Sequence, residues 1–235
     1  MSSYQEICGF EIGPNLPITY PHIIVASLHM KMLLAPEFPV RLTGLVHLWH
    51  KIRQHQAIQE NETLDCRCWL EGSRRVEAGD EFCLHTEFLV DGQLRWQEQT
   101  GFVALHKDRT KRSHNETGES MDYQQVASWP AASDIGPRYA RISGDFNPIH
   151  LSRLFARLFG FKSPIAHGMW TLARSAAFIA GDVDLPLALE ARFLRPVSLP
   201  ATISLYTAKQ GQQNHFRLTA ADKQRIYVQG SVTSI

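Results

Sequence analysis

The chain has 235 residues, of which 44% are hydrophobic and 20% are charged, and its formal net charge is +1. This composition is typical of a globular protein, and the balanced charge gives no general electrostatic reason to bind nucleic acid or a membrane. The start, Met-Ser-Ser-Tyr-Gln-Glu, lacks a basic segment followed by an apolar run, and no apolar stretch approaches the roughly 20 residues that span a bilayer. We therefore expect a cytoplasmic protein without a signal peptide, whose four cysteines are reduced and mostly buried.

The first half of the chain changes from a helical to a strand pattern. Residues 1–22 contain three prolines and predict an irregular segment. Two helices are predicted, over residues 22–34 and 41–58, separated by further prolines. Strands are then predicted over residues 64–70, 81–90 and 94–105. Asp91-Gly92 lies between the last two, which is a strong hairpin signal.

The second half repeats this order after a polar segment. Residues 107–120 are polar and charged without apolar periodicity, which predicts a linker. Residues 121–142 then lead into helices predicted over residues 148–159 and 165–180. Strands are predicted over residues 187–193, 201–208, 215–220 and 225–233.

The repeated order predicts two copies of one α+β unit, at residues 1–112 and 121–235 with 107–120 as the linker. The prolines align loosely, Pro21 with Pro148 and the break at 38–40 with that at 163–165. The long helix of the second copy is apolar nearly all round, so a curved sheet is expected to bury it. The helix predicted over residues 41–58 is more polar, and we expect it to be more exposed on one side.

Residues Ser143 to His150 hold the most informative local motif. Asn147 is a favourable helix N-cap and Pro148 is favoured as the first helical residue, so a helix is predicted to begin there. Asp145 and His150 can then converge at the helix N-terminus, where an ionised Asp and a neutral His make an acid–base pair. An ordinary helix start explains the same residues equally well. The first copy has His22 at the matched place but no acid before it, so we expect that copy to be degenerate.

A second motif follows at Ser163 to Met169. Ser163 and Pro164 predict another helix start, whose first turn carries backbone N–H groups without helical acceptors. Gly168 lets a ligand oxygen approach its N–H group, as in an oxyanion hole, but tight helix packing explains a glycine just as well. His167 either binds ligand or fills space, and the sequence leaves both open.

Two further groups of residues have alternative interpretations. His47, His50 and His55 include a His-x-x-His spacing, but without a third ligand or a helper Glu they are expected to face solvent rather than to bind zinc. Four arginines are candidates for phosphate contacts, although most surface arginines have no such role. They are Arg153, Arg157, Arg192 and Arg195.

The stretch Tyr139-Ala-Arg-Ile-Ser-Gly-Asp-Phe-Asn-Pro-Ile-His150, followed by Ala156, resembles the hydratase-2 motif of the MaoC-like dehydratases. That family includes the (R)-specific enoyl-CoA hydratases. Pro164-Ile-Ala-His-Gly-Met169 and Phe193-Leu-Arg-Pro-Val197 resemble its central-helix start and the strand that follows. The resemblance covers about residues 135–235, and the first half resembles the fold only. It implies an α+β double hot-dog fold, in which each unit is a long helix wrapped by an antiparallel sheet.

The resemblance also implies a function. It implies a lyase that reversibly hydrates a trans-2-enoyl thioester to the (3R)-3-hydroxyacyl thioester. Asp145 and His150 would hold a water, one as the base and the other supplying a proton to the α-carbon. Asn147 would fix the loop, and the Gly168 N–H group would bind the thioester carbonyl. Residues expected to bind substrate are His167, Ser143 and Arg195.

No metal or redox cofactor is expected, since coenzyme A or acyl carrier protein comes with the substrate, and two chains could form a homodimer. One alternative is a hot-dog acyl-CoA thioesterase in which Asp145 activates water against the carbonyl. Another is a non-catalytic protein that binds acyl thioesters, which the intact Asp145, Asn147 and His150 set disfavours.

Overall fold

A computed structural model describes residues 1–41, 44–105, 121–181 and 183–235. The predicted linker at 107–120 lies outside the described residues. The helices are α1 (Ser2–Cys8), α2 (Tyr20–Leu33), α3 (Ile135–Ser143), α4 (Arg153–Leu158) and α5 (Gly168–Ile179). The strands of the first half are β1 (Leu45–Gln54), β2 (Asp65–Val76), β3 (Gly79–Val90) and β4 (Gln93–Leu105). The strands of the second half are β5 (Gln124–Ala131), β6 (Leu187–Phe193), β7 (Ala201–Gln210), β8 (Gln213–Ala220) and β9 (Ile226–Ser234).

The nine strands form one antiparallel sheet in the order β2-β3-β4-β1-β6-β9-β8-β7-β5. The two halves meet where β1 pairs with β6, and on either side of this pair the strands follow in the same relative order. In each half a helix, α2 or α5, directly precedes the central strand. This is the predicted double hot-dog fold: two helix-and-sheet units in one chain. The unit boundaries at residues 112 and 121 stay a prediction.

Helix α5 lies in the core, as its apolar sequence predicts. Trp170, Leu172, Ala173 and Ala176 are at most 3% exposed, and α5 packs on β8 and β9. The indole N–H of Trp170 donates to the carbonyl of Ile7, which docks α1 on this helix. Among the described residues, no helix has both the length and the apolar character needed to cross a membrane.

The prediction of a helix over residues 41–58 is wrong. Residues 45–54 form β1, and burial alternates along it: His50, Ile52 and Gln54 are buried whereas Lys51 and Arg53 are exposed. The apolar spacing of this stretch fits both periods, and pairing with β4 and β6 decides for the strand. His50 is therefore fully buried instead of facing solvent.

Three other features differ from the expectations: the N-terminal segment, the helix predicted over residues 148–159 and the alignment of the two halves. The segment predicted to be irregular contains α1, which ends at Gly9 in the left-handed conformation. The helix predicted over residues 148–159 is a 3-10 turn at Pro148–His150 followed, after a break, by the separate α4. Both proline alignments, of Pro21 with Pro148 and of 38–40 with 163–165, are also wrong, because the order of elements pairs α2 with α5.

The local signals of the hairpins are confirmed. Asp91 and Gly92 both have positive φ, 50° and 75°, and they connect β3 to β4. This backbone matches the twist of the flanking strands. All four cysteines are free; Cys8 is buried, but Cys66 is exposed, so the expectation of mostly buried thiols is only partly met.

Candidate active site

The Ser143–His150 motif connects α3 to the 3-10 turn. Helix α3 ends at Gly144, whose φ of 74° is left-handed and therefore favours glycine. Asn147 caps the turn as predicted: its side-chain oxygen accepts from the N–H group of Ile149 at 3.4 Å. Pro148 follows as the first residue of the turn. The loop therefore holds Asp145 and His150 at the two ends of a short, capped segment.

His150 is anchored by two contacts that the backbone makes. Its Nδ1 lies 2.8 Å from the carbonyl oxygen of Ile165, and because a carbonyl only accepts, Nδ1 carries the proton. Nε2 is then the nitrogen with the free lone pair. From the other side, Gly136 of α3 packs against the His150 backbone so closely that an added Cβ would lie 2.0 Å from the His150 carbonyl oxygen. The ring is thus fixed in both tautomer and position.

Asp145 is held by the loop itself. The N–H group of Asn147 donates to Asp145 Oδ1 at 3.0 Å, and the N–H group of Asp145 donates to Ser143 Oγ at 3.2 Å. The other oxygen, Oδ2, lies 4.0 Å from His150 Nε2. Because the Asp145 side chain is 45% exposed and that of His150 is 10% exposed, the gap between them opens toward solvent on the acid's side.

His167 completes the cluster. Its ring stacks on that of His150 with 3.8 Å between the centroids, and its Nε2 donates to the backbone carbonyl of Asp145 at 3.0 Å. The same Nε2 lies 3.9 Å from Asp145 Oδ2. His167 Nδ1 is buried and has no hydrogen-bond partner among the described residues. His167 therefore ties the loop to the start of α5, and it leaves an acceptor nitrogen unused.

Burial sets the charge state of both histidines. It lowers the pKa of His150, although the hydrogen bond to Ile165 and the charge of Asp145 oppose it. Burial, reinforced by His150, lowers the pKa of His167 to about 4. Both imidazoles are therefore neutral near pH 7, and His150 can accept a proton at Nε2.

The donor atoms of Asp145, His150 and His167 lie within 4.8 Å of one another, a spacing that some metal sites share. The Nε2 of His167 is engaged as a donor to a carbonyl, however, so it is not free to ligate. The arrangement suits proton transfer better. A gap of 4.0 Å is too long for a direct hydrogen bond but admits one water about 2.8 Å from each atom.

Gly168 is the first residue of α5, and His167 is the N-cap. The predicted start at Ser163 and Pro164 is therefore wrong, because Ile165 pairs with Ser198 as an isolated bridge and keeps the chain extended up to His167. The N–H group of Gly168 still lies in the first turn of the helix, as expected. A Cβ on Gly168 would lie 3.2 Å from the ring of Phe193, so the packing explanation also has support.

The remaining predicted residues are placed differently. Ser143 is buried and holds the Asp145 N–H group. Asn147 is exposed. Arg195 is exposed, its guanidinium donates to the Ile226 carbonyl at 3.4 Å, and no described contact joins it to Asp145 or His150.

Two neighbours of the site were missed by sequence reasoning. Gly136 contacts the backbone of His150, and the ring of Tyr139 lies 5.0 Å from that of His167. Tyr139 begins the motif, but its type alone does not indicate a buried side chain behind the histidines. For Gly136 the sequence carries no signal, because only the packing of α3 on the turn makes a small residue necessary.

The fold is that of a double hot-dog protein, and its second half carries the cluster of Asp145, His150 and His167. Residues 114–229 match the family described as "MaoC like domain". The chain is 32% identical over 213 residues to 3-hydroxyacyl-thioester dehydratase X of Mycobacterium tuberculosis, covering 89% of this chain and 75% of that protein. It is 38% identical over 82 residues to the mouse peroxisomal multifunctional enzyme type 2, covering 33% of this chain and 11% of that protein.

Solved structures agree with the sequence matches. The crystal structure of HtdX of Mycobacterium tuberculosis superposes with a TM-score of 0.87 at 27% identity, covering 100% of this chain and 94% of that one. A MaoC-like dehydratase from Phytophthora capsici superposes with a TM-score of 0.77 at 16% identity, covering 99% and 90%, which supports the fold. The chain belongs to the MaoC-like dehydratase family.

Proposed function

We propose that the protein is a hydro-lyase that adds water to a trans-2-enoyl thioester, giving the (3R)-3-hydroxyacyl thioester, and catalyses the reverse dehydration. Its relative in Mycobacterium tuberculosis is named a 3-hydroxyacyl-thioester dehydratase. The observation that carries the proposal is the 4.0 Å gap between Asp145 Oδ2 and His150 Nε2. A gap of that width beside a neutral imidazole is suited to one reactive water.

In the proposed mechanism, His150 Nε2 takes a proton from this water while the water oxygen bonds to C3 of the enoyl group. Asp145 accepts the second hydrogen bond of the water and stabilises the imidazolium that forms. The electrons of the double bond move to the thioester oxygen as an enolate. His150 then returns the proton to C2, because an ionised carboxylate has no proton to give. The water thus supplies both the hydroxyl group and the hydrogen, and dehydration follows the same steps backwards.

We propose that the N–H group of Gly168 binds the thioester oxygen. It is in the first turn of α5, where backbone N–H groups have no helical acceptor and the helix dipole favours negative charge. His167, the residue before Gly168, contacts both Asp145 and His150, which connects this N–H group to the water-binding gap. Ser143 and Asn147 orient Asp145, whereas Arg195 is proposed to contact the carrier's phosphates from the exposed surface.

This chemistry needs only proton transfer and polarisation of a carbonyl, so we propose that it requires no redox cofactor or catalytic metal. Coenzyme A or acyl carrier protein would arrive with the substrate. We also propose a cytoplasmic location, since four free thiols suit a reducing compartment. We further propose that two double hot-dog chains form a homodimer, and sedimentation equilibrium would measure its mass.

The proposal is tested by measuring the hydration of crotonyl-CoA, which is monitored through the decrease in enoyl absorbance. Asp145→Asn and His150→Gln should each lower kcat about 10²–10⁴-fold, which is the usual contribution of a general acid or base. Asp222→Asn is the matched control: Asp222 is in the turn after β8, its side chain caps the Gln224 N–H group, and Asn can keep that bond. It should retain the wild-type rate.

The same assay separates the alternatives. Wild-type rates in both the Asp145 and the His150 variants would refute the assignment of the site. Release of free thiol without loss of enoyl absorbance would show a thioesterase, and binding without turnover at every chain length would show a non-catalytic protein. Chiral analysis should give the (3R) product; an (S) product contradicts the proposal.

A further inference from the structure

The first unit contains a second buried cluster of ionisable side chains, built by α2, β1 and β4 rather than by the catalytic loop. Its centre is Glu98 on β4, which is 2% exposed. Three imidazoles face it: His22 and His29 from α2 and His50 from β1. A carboxylate so deeply buried must be compensated by nearby donors or charge.

The two oxygens of Glu98 share His22 as a partner and differ in their other contacts. Oε1 accepts a hydrogen bond from the Thr86 hydroxyl at 3.1 Å, and Thr86 in turn lies 2.7 Å from His29 Nε2. Thr86 and His29 therefore fix one side of the carboxylate. Oε2 faces two ring nitrogens, His22 Nδ1 at 2.9 Å and His50 Nε2 at 3.0 Å, and His22 Nδ1 also lies 3.2 Å from Oε1.

His50 has an unusual environment for a fully buried histidine. Its Nδ1 lies 3.2 Å from the hydroxyl of Thr100. Its Nε2 is buried and forms no aligned hydrogen bond, even though Glu98 Oε2 is only 3.0 Å away. If Nδ1 donates to Thr100, a nitrogen lone pair and a carboxylate oxygen face each other, which is unfavourable unless a cation lies between them.

The charges of the cluster favour a cation. Burial raises the pKa of Glu98, but His22 and His50 outweigh this effect and hold it well below its usual range. Burial lowers the pKa of His50, and it lowers the pKa of His29 to about 4, so both rings are neutral near pH 7. The cluster thus places an ionised carboxylate beside the fully buried, neutral ring of His50.

We propose that His22 Nδ1, His50 Nε2 and Glu98 Oε2 bind a divalent transition-metal ion. Their donor atoms all lie within 4.8 Å of one another. Bonds of about 2.0–2.2 Å separate neighbouring ligand atoms by about 3.0–3.4 Å, and the two distances to Glu98 need to lengthen by only a few tenths of an ångström. Two imidazoles with one carboxylate suit ions such as Zn²⁺ or Co²⁺ better than Mg²⁺ or Ca²⁺.

The surroundings fit a metal site as well. Thr100 contacts the second nitrogen of His50, and Thr86 holds the second oxygen of Glu98, as outer partners do in metal centres. The three ligands come from three elements, so the ion would clamp α2 onto the sheet. His22 is the most accessible of them, with a side chain 13% exposed, so the cluster is closest to solvent on the side of α2.

Metal uptake by the full chain tests the site without using enzymatic activity. Protein dialysed against a chelator is titrated with Co²⁺, and the visible d–d absorption is followed; Zn²⁺ should displace the Co²⁺ and raise Tm. We expect one ion per chain in the wild type. Glu98→Gln and His22→Asn should abolish uptake, and Thr100→Val should weaken it about 10–100-fold, the usual effect of removing an outer partner.

Two control variants identify the location. His85→Asn disrupts the cluster of Glu71, Cys83 and His85, and His150→Asn disrupts that of the catalytic loop; both should bind Co²⁺ as the wild type does. The proposal is overturned if the folded wild type binds no Co²⁺. It is also overturned if one of the two controls loses Co²⁺ binding while His22→Asn retains it. If Glu98→Gln does not fold, the His22 and Thr100 variants decide, since each changes only one edge of the cluster.

Discussion

Gly168→Pro tests whether the N–H group of residue 168 binds the thioester oxygen. Residue 168 is the first of α5, where proline is favoured and where its missing N–H group breaks no helical hydrogen bond. Proline also requires an extended residue before it, and His167 already has φ −63° and ψ 135°. The substitution therefore removes one N–H group and leaves the helix start intact.

The expected size of the effect follows from the role proposed. Loss of one oxyanion donor costs about 10²–10³-fold in kcat, or about 2.7–4 kcal/mol. Part of any loss can come from the added Cβ, which would lie 3.2 Å from the Phe193 ring. Gly168→Ala is the matched control, because alanine adds the same Cβ and keeps the N–H group.

Steady-state hydration of crotonyl-CoA by both variants gives the answer. We expect Gly168→Ala to stay within about tenfold of the wild type and Gly168→Pro to fall about 10²–10³-fold below it in kcat. Equal rates in the two variants would refute the reasoning, since the N–H group would then be irrelevant. If both variants are equally slow, the glycine serves instead to pack against Phe193, and Phe193→Leu should rescue both.

Three more predictions concern the same loop and its charges. Gly136→Ala places a Cβ 2.0 Å from the His150 carbonyl oxygen, so it should misplace His150 and lower kcat on the order of 10²-fold. It should also lower Tm, whereas an unhindered Gly→Ala in a helix raises stability by about 1 kcal/mol. A raised Tm at full activity would contradict the packing. Hydration needs a neutral His150, and burial lowers the pKa of this residue. In a plot of kcat/KM against pH, the acidic inflection should therefore lie below about 6.5, the ordinary pKa of histidine. An inflection above that value would argue against His150 as the base. The pKa values of His29 and His167 are about 4 in the folded protein but about 6.5 in the unfolded chain. As pH falls, the unfolded state therefore binds protons first, and Tm should fall between about pH 7 and pH 4. His167→Gln should make this dependence of Tm on pH less steep, and an unchanged dependence would show that another group titrates.

Several parts of the fold are predictable because their signals are local. Asn147 and Pro148 specify a capped turn through their own side chains, and Asp91-Gly92 specifies a hairpin through its backbone preferences. Helix α5 is apolar on nearly all sides, so it can only be buried. The Asp145 and His150 pair was likewise predictable, since both residues belong to one short motif.

Tertiary structure alone decided the rest. Residues 45–54 fit a helix and a strand equally well in apolar spacing, and only the partners β4 and β6 make them a strand. That choice turns His50 inward to meet Glu98 and His22, which are far apart in the chain. Similarly, the contact of Gly136 with His150 exists only because α3 packs on the turn. Local preference fixes the conformation of a few residues, whereas burial and the pairing of distant groups depend on which surfaces the whole fold brings together.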